Sequence, residues 1–148
     1  ASSTGSGGII GSDGAATYAK LVRVNGAPDK KARIQFPANA ANLGIAWDFA
    51  YPPDWDDTAV VEVHFLAAMA GATDIPVIAV SYFEGLGDTN AGGNSAAVTG
   101  TTITEYTVTI TAANIGAAPN GASISFVPAT HTTDLINLYS AWVEYTRK

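Results

Sequence analysis

Apolar and polar residues alternate with a period of two in one short segment after another, and Gly, Pro, Asn and Asp separate the segments. Such a pattern specifies half-buried strands and leaves little room for helices. The cleanest case spans 43–50, where Leu43, Ile45, Trp47 and Phe49 point one way and Gly44, Ala46, Asp48 and Ala50 the other. Residues 59–67 repeat it, with Val61, Val63 and Phe65 inward and Glu62 and His64 outward. In 102–111, Tyr106, Val108 and Ile110 oppose a row of threonines, and in 123–127 Ile124 and Phe126 face inward. Segments 20–24 and 33–36 open the series.

Two segments are ambiguous. Residues 75–83 are apolar on both faces, with Ile75, Val77, Ala79 and Phe83 against Ile78, Val80 and Tyr82. A strand of this kind is covered on both sides, by a loop or by a second subunit, which makes Ile78, Val80 and Tyr82 the expected oligomer interface. In 138–146, Tyr139, Ala141, Val143 and Tyr145 alternate with Leu138, Ser140, Trp142 and Glu144, and either set serves as core. The stretches 85–100 and 114–121 read as a loop and a turn, and 38–42 and 111–114 could each form one helical turn. The count is about eight strands. The expected fold is all-β: a single two-sheet antiparallel β-sandwich, most naturally a jelly roll. A length of 148 residues suits one such domain with a real core. No tandem repeat argues for a solenoid or propeller.

The first 17 residues are mostly Gly, Ser, Ala and Thr, too poor in apolar surface to offset the entropy of ordering. They read as a flexible N-terminal arm (1–17) ahead of the sandwich domain (18–148), with Ile9 and Ile10 as an apolar anchor for a neighbour.

Charge narrows the partners. The net charge is −6, and the seven basic residues are Lys20, Arg23, Lys30, Lys31, Arg33, Arg147 and Lys148. No Lys or Arg occurs between Ile34 and Thr146, a stretch with eleven acids. Such a body repels phosphate, so nucleic acid is an unexpected partner. Without lysine or arginine nearby, its carboxylates are left to solvent, turn amides, cations or a basic partner. No apolar run reaches membrane-spanning length, and no charged stretch followed by an apolar run marks a secretory leader. With no cysteine there is neither a disulfide nor a thiolate metal site.

Motifs for chemistry are sparse. There is no Gly-x-Ser-x-Gly elbow, no phosphate-binding loop and no dinucleotide fingerprint, so neither catalytic residues nor a cofactor are expected. The two histidines are His64 and His131. His64 shares a strand face with Glu62, which fits an exposed polar pair better than half of a metal or base–orienter site. His131 reads as a turn residue. The acidic turn Asp54, Asp56, Asp57 offers hard oxygen ligands to calcium without the spacing of a known loop, and capping of backbone amides explains it more simply. Trp55, Tyr82, Tyr106, Trp142 and Tyr145 are available to stack on sugars.

The order of three pieces carries a family resemblance: Pro53-Asp54-Trp55-Asp56 leading into Ala59-Val60-Val61-Glu62-Val63-His64-Phe65, then Ile75-Pro76-Val77-Ile78-Ala79-Val80, then Asp134 leading to Leu138-Tyr139-Ser140-Ala141-Trp142-Val143-Glu144-Tyr145. Over residues 19–147 the chain resembles jelly-roll structural proteins of tailed-bacteriophage virions, which include trimeric capsid decoration (cement) proteins. The resemblance implies a non-enzymatic homotrimer on the outer capsid surface of a virion, with the major capsid protein as partner. The arm and the basic residues Lys20, Arg23, Lys30, Lys31 and Arg33 would then contact the shell. The alternative is a carbohydrate-binding module of a head fibre or tail component. A small glycoside hydrolase fits least, because no acid pair stands out.

Overall fold

The alternating segments pair as their patterns require. The computed structural model describes residues 19–22, 32–38, 44–49, 54, 56, 58–83, 91–111 and 122–148. Among these are nine strands: β1 (Lys20–Val22), β2 (Arg33–Phe36), β3 (Ile45–Phe49), β4 (Val61–Met69), β5 (Ile78–Phe83), β6 (Ala91–Asn94), β7 (Thr104–Ile110), β8 (Ala122–Pro128) and β9 (Ile136–Tyr145). They form two antiparallel sheets, ordered β1-β2-β9-β4-β7 and β3-β8-β5-β6. Without β1, these orders are the two four-stranded sheets of a jelly roll, as the sequence leads one to expect. β1 extends the first sheet at its edge, and β6 lies within the stretch expected to be loop. Its residues Ala91, Gly92, Gly93 and Asn94 carry no apolar alternation, so only pairing with β5 defines it as a strand. A Cβ at Gly92 would overlap the Val80 carbonyl, so this small residue lets the two backbones approach.

The core lies between the sheets. Val61, Val63 and Phe65 of β4 are fully buried and face the same side as Ile110, Val108 and Tyr106, their partners on β7. Phe65 stacks on Tyr106 with ring centres 5.6 Å apart and meets Phe126 of the other sheet edge-on at 5.4 Å. Burying a phenylalanine of this kind contributes about 1.5–3 kcal/mol, and the edge-on pair ties one sheet to the other.

β5 departs from expectation. Ile78, Val80 and Tyr82 are at most 1% exposed and form part of the core, so they are not an outer oligomer face. The register explains it: Val80 pairs with Phe126 and Tyr82 with Ile124, and both partners face inward. The outer side of β5 carries Ala79, Ser81 and Phe83, while Ile75 is exposed ahead of the strand.

β9 resolves its own ambiguity with a bulge. Leu66 pairs with Ser140 but Ala67 with Leu138, which leaves Tyr139 as the extra residue. Before the bulge the even-numbered Ile136 and Leu138 are core. After it the odd-numbered Ala141, Val143 and Tyr145 pack against the core, and Trp142 and Glu144 turn outward.

Residues 1–17, Arg23, Lys30 and Lys31 lie outside the described residues, so the expected arm with Ile9 and Ile10 and most of the basic stretch do too. The two expected helical turns also fall there, apart from Ala38 and Thr111.

Candidate functional site

The inter-sheet mouth beside β9 forms one candidate site. On β9, β2 pairs with Ile136–Leu138 alone among the described residues, so β9 beyond the bulge has no described strand on that side. A cleft of about 310 Å³ opens there. Its walls come from Ile34 of β2, Ile45 of β3, Phe126 of β8 and Leu138 and Ala141 of β9. Trp47 and Tyr139 supply aromatic surface, and Arg33 and Ser140 supply polar groups. This composition, apolar walls with a few polar groups, is that of a small-molecule site. The bulge creates part of it, because the extra residue is Tyr139. Arg33, one of the residues expected to contact a partner, lines this cleft. Lys20 lies on β1, where its backbone pairs with Gln35.

A second cluster occupies the outer face of the five-stranded sheet. His64 of β4 sits between Trp142 of β9 and Thr107 of β7, its cross-strand partners. The Trp142 ring stacks on the imidazole with centres 5.2 Å apart and planes 8° from parallel. This cover leaves His64 only 9% exposed although it points away from the core. Nδ1 lies 2.8 Å from Glu105 Oε1 and 3.1 Å from Thr107 Oγ1. A carboxylate can only accept, so Nδ1–H donates to Glu105. Nε2 is buried without a hydrogen-bond partner, and it faces Glu144 Oε2 at 3.5 Å and Glu62 Oε2 at 3.7 Å.

The sequence pointed to the Glu62–His64 pair but not to Glu105, Trp142 or Glu144. Glu105 is 41 residues from His64, and only the strand order β9-β4-β7 brings the three segments together. His131 does not join them. It is buried elsewhere, with Nδ1–H donating to the Ala129 carbonyl at 2.8 Å.

The acidic turn is engaged internally. Asp56 Oδ1 accepts from the Thr58 amide at 2.9 Å and the Thr58 hydroxyl at 2.6 Å. These bonds, the hydroxyl first, hold the Asp56 carboxyl below its ordinary value. Asp54 accepts from the Tyr145 hydroxyl at 3.1 Å and pairs with Arg147 at 3.2 Å. Asp56 thus caps a backbone amide of the turn, Asp54 ties the turn to Tyr145 and Arg147, and Asp57 and Trp55 lie outside the described residues. Of the other aromatics considered for sugar stacking, Tyr82 and Tyr106 are core and Tyr145 is partly buried against it.

No protein-family model and no curated protein sequence matches the chain. Solved structures do. The xylan-binding domain CBM22-1 of Xyn10C from Paenibacillus barcinonensis aligns over 95% of this chain and 87% of its own, with a TM-score of 0.61 at 10% identity. The xylan-binding module CBM15 aligns over 96% and 99%, with a TM-score of 0.57 at 12% identity. The enzymatically active domain of tailspike protein 4 from bacteriophage CBA120 aligns over 93% of this chain but 19% of its own, with a TM-score of 0.52 at 12% identity. At such identities the likeness is one of fold: the chain is a two-sheet β-sandwich jelly roll, as these domains are.

Proposed function

We propose that this chain is a non-catalytic carbohydrate-binding module that takes its glycan in the cleft beside β9. The observation that carries the reading is the cleft itself: about 310 Å³, with Trp47 and Tyr139 in its lining beside apolar walls, Arg33 and Ser140. A pyranose ring presents apolar C–H faces that suit an aromatic surface, and its hydroxyls need a few fixed polar partners. The likeness to two xylan-binding modules supports the same reading.

Binding without hydrolysis is favoured by where the acids lie. Glycoside hydrolysis uses two carboxylates flanking the bond. Among the described residues the cleft lining contains no Asp or Glu, whereas Glu62, Glu105 and Glu144 gather around His64 on the outer face. The capsid decoration reading is weaker, because the apolar outer strand face that suggested an oligomer is core. The tailspike neighbour keeps a phage tail component among the settings to test.

The test is a glycan array that includes xylan oligosaccharides and bacterial surface polysaccharides, followed by calorimetry on the hits. Saturable binding is expected, weakened about five- to tenfold in Tyr139→Ala and unaffected in Trp142→Phe, since one lost aromatic contact is worth about 1–1.5 kcal/mol. Absence of any glycan hit, or full affinity in Tyr139→Ala, would refute the cleft as the sugar site.

A further inference from the structure

The outer-face cluster gathers three carboxylates around one imidazole. Glu62 and Glu144 sit directly opposite each other on β4 and β9, a like-charge pairing that destabilises a sheet unless something positive lies between. His64 Nε2 is aimed at both, yet it is buried with no hydrogen-bond partner, and the residue is 91% buried. Its separations of 3.5 and 3.7 Å from the two carboxylate oxygens are long for hydrogen bonds. They suit ligands that share an ion. Donors at about 2.1 Å from a tetrahedral centre stand about 3.4 Å apart. One ligand atom from each of Glu62, His64 and Glu144 lies within 4.8 Å of the others.

The surroundings fit as well. Glu105 accepts from Nδ1–H, which fixes the ring orientation and leaves Nε2 as the ligand atom, the arrangement that second-shell carboxylates give to metal-bound histidines. Trp142 packs flat on the ring and limits its rotation. No lysine or arginine occurs between Ile34 and Thr146 in the sequence to neutralise three converging glutamates.

We propose that Glu62, His64 and Glu144 bind a divalent cation of the zinc type, with Glu105 as the positioning residue. One imidazole and two carboxylates suit such an ion better than calcium or magnesium, which favour all-oxygen shells. Three protein ligands leave a coordination position for water or a ligand oxygen. The site lies on the outer face of the sheet, and its existence does not depend on glycan binding in the cleft.

The test is titration of the tag-free full chain with zinc chloride by calorimetry, and with cobalt(II) by visible absorption. One ion per chain is expected, with a d–d spectrum of a four- or five-coordinate cobalt centre. Cobalt should quench tryptophan fluorescence in the wild type and much less in Trp142→Phe. Glu144→Gln, at an exposed side chain whose loss leaves the core intact, and His64→Gln should each weaken binding at least about tenfold, and Glu105→Gln should weaken it by a similar factor without altering the stoichiometry. Circular dichroism melts establish that the variants fold. No saturable uptake by the wild type would overturn the proposal. So would wild-type affinity in Glu144→Gln, or uptake lost in Asp56→Asn and retained in Glu144→Gln.

Discussion

Asp74 and Asp134 cap each other's backbone. Asp74 Oδ2 accepts from the Asp134 amide at 2.8 Å, and Asp134 Oδ2 accepts from the Asp74 amide at 3.0 Å. Each carboxylate also takes the amide of the residue before its partner, Thr133 for Asp74 and Thr73 for Asp134, both at 2.6 Å. Four backbone donors that strand pairing leaves unused are thereby satisfied, and the β4–β5 connection is tied to the β8–β9 connection.

The clamp makes stability sensitive to acid. The amides of Asp134 and then Thr133 hold the Asp74 carboxyl below its ordinary value of 3.8. The folded value therefore lies below the unfolded one. The stabilisation is complete above the ordinary value and is lost as pH falls through the folded value. Asp56, held down by Thr58, acts in the same direction. Melting temperatures followed by circular dichroism from about pH 7 to pH 2.5 should fall steeply below about pH 4. Asp74→Asn should melt lower at neutral pH and show a shallower acid decline. An unchanged acid slope in that variant would remove the clamp as its source.

Gly71 makes room for the clamp. A Cβ there would overlap the Asp134 carboxylate. Gly71→Ala should therefore displace Asp134 and cost about 1–3 kcal/mol, the range for stranding polar groups, in a urea titration. In an Asp134→Ala background the same substitution should cost much less, because the overlapping group is gone. Equal costs in the two backgrounds would mean that the overlap relaxes without consequence.

The bulge at Tyr139 sets the outward direction of the rest of β9. Deleting Tyr139 joins Leu138 directly to Ser140 and gives an uninterrupted register with every face kept, Ala141, Val143 and Tyr145 inward and Trp142 and Glu144 outward. The deletion variant should therefore fold and keep dispersed amide signals in a two-dimensional NMR spectrum, as should Tyr139→Ala. Loss of the dispersed signals on deletion would show that the bulge does more than set the facing of β9.

The strands that were legible in the sequence were those with one wet face. The patterns of β3, β4, β7 and β8 specified their inward residues, because period-two alternation becomes a face wherever only one side is buried. From that alternation, a chain of this length and the turn residues between segments, the sequence by itself determined an all-β sandwich. The face of β5 was not legible, because both of its sides are apolar and only its pairing with β8 turns Ile78, Val80 and Tyr82 inward. Nor was the face of β9, where one unpaired residue inverts the alternation half-way along. The same limit applies to the sites. Glu62 and His64 were a visible pair on one strand. Glu105, Trp142 and Glu144 joined them only through the sheet order, and Trp47 and Tyr139 met across the mouth between the sheets. Local pattern reflects what each strand buries, whereas long-range pairing, which carries no local signal, decides which strands stand side by side.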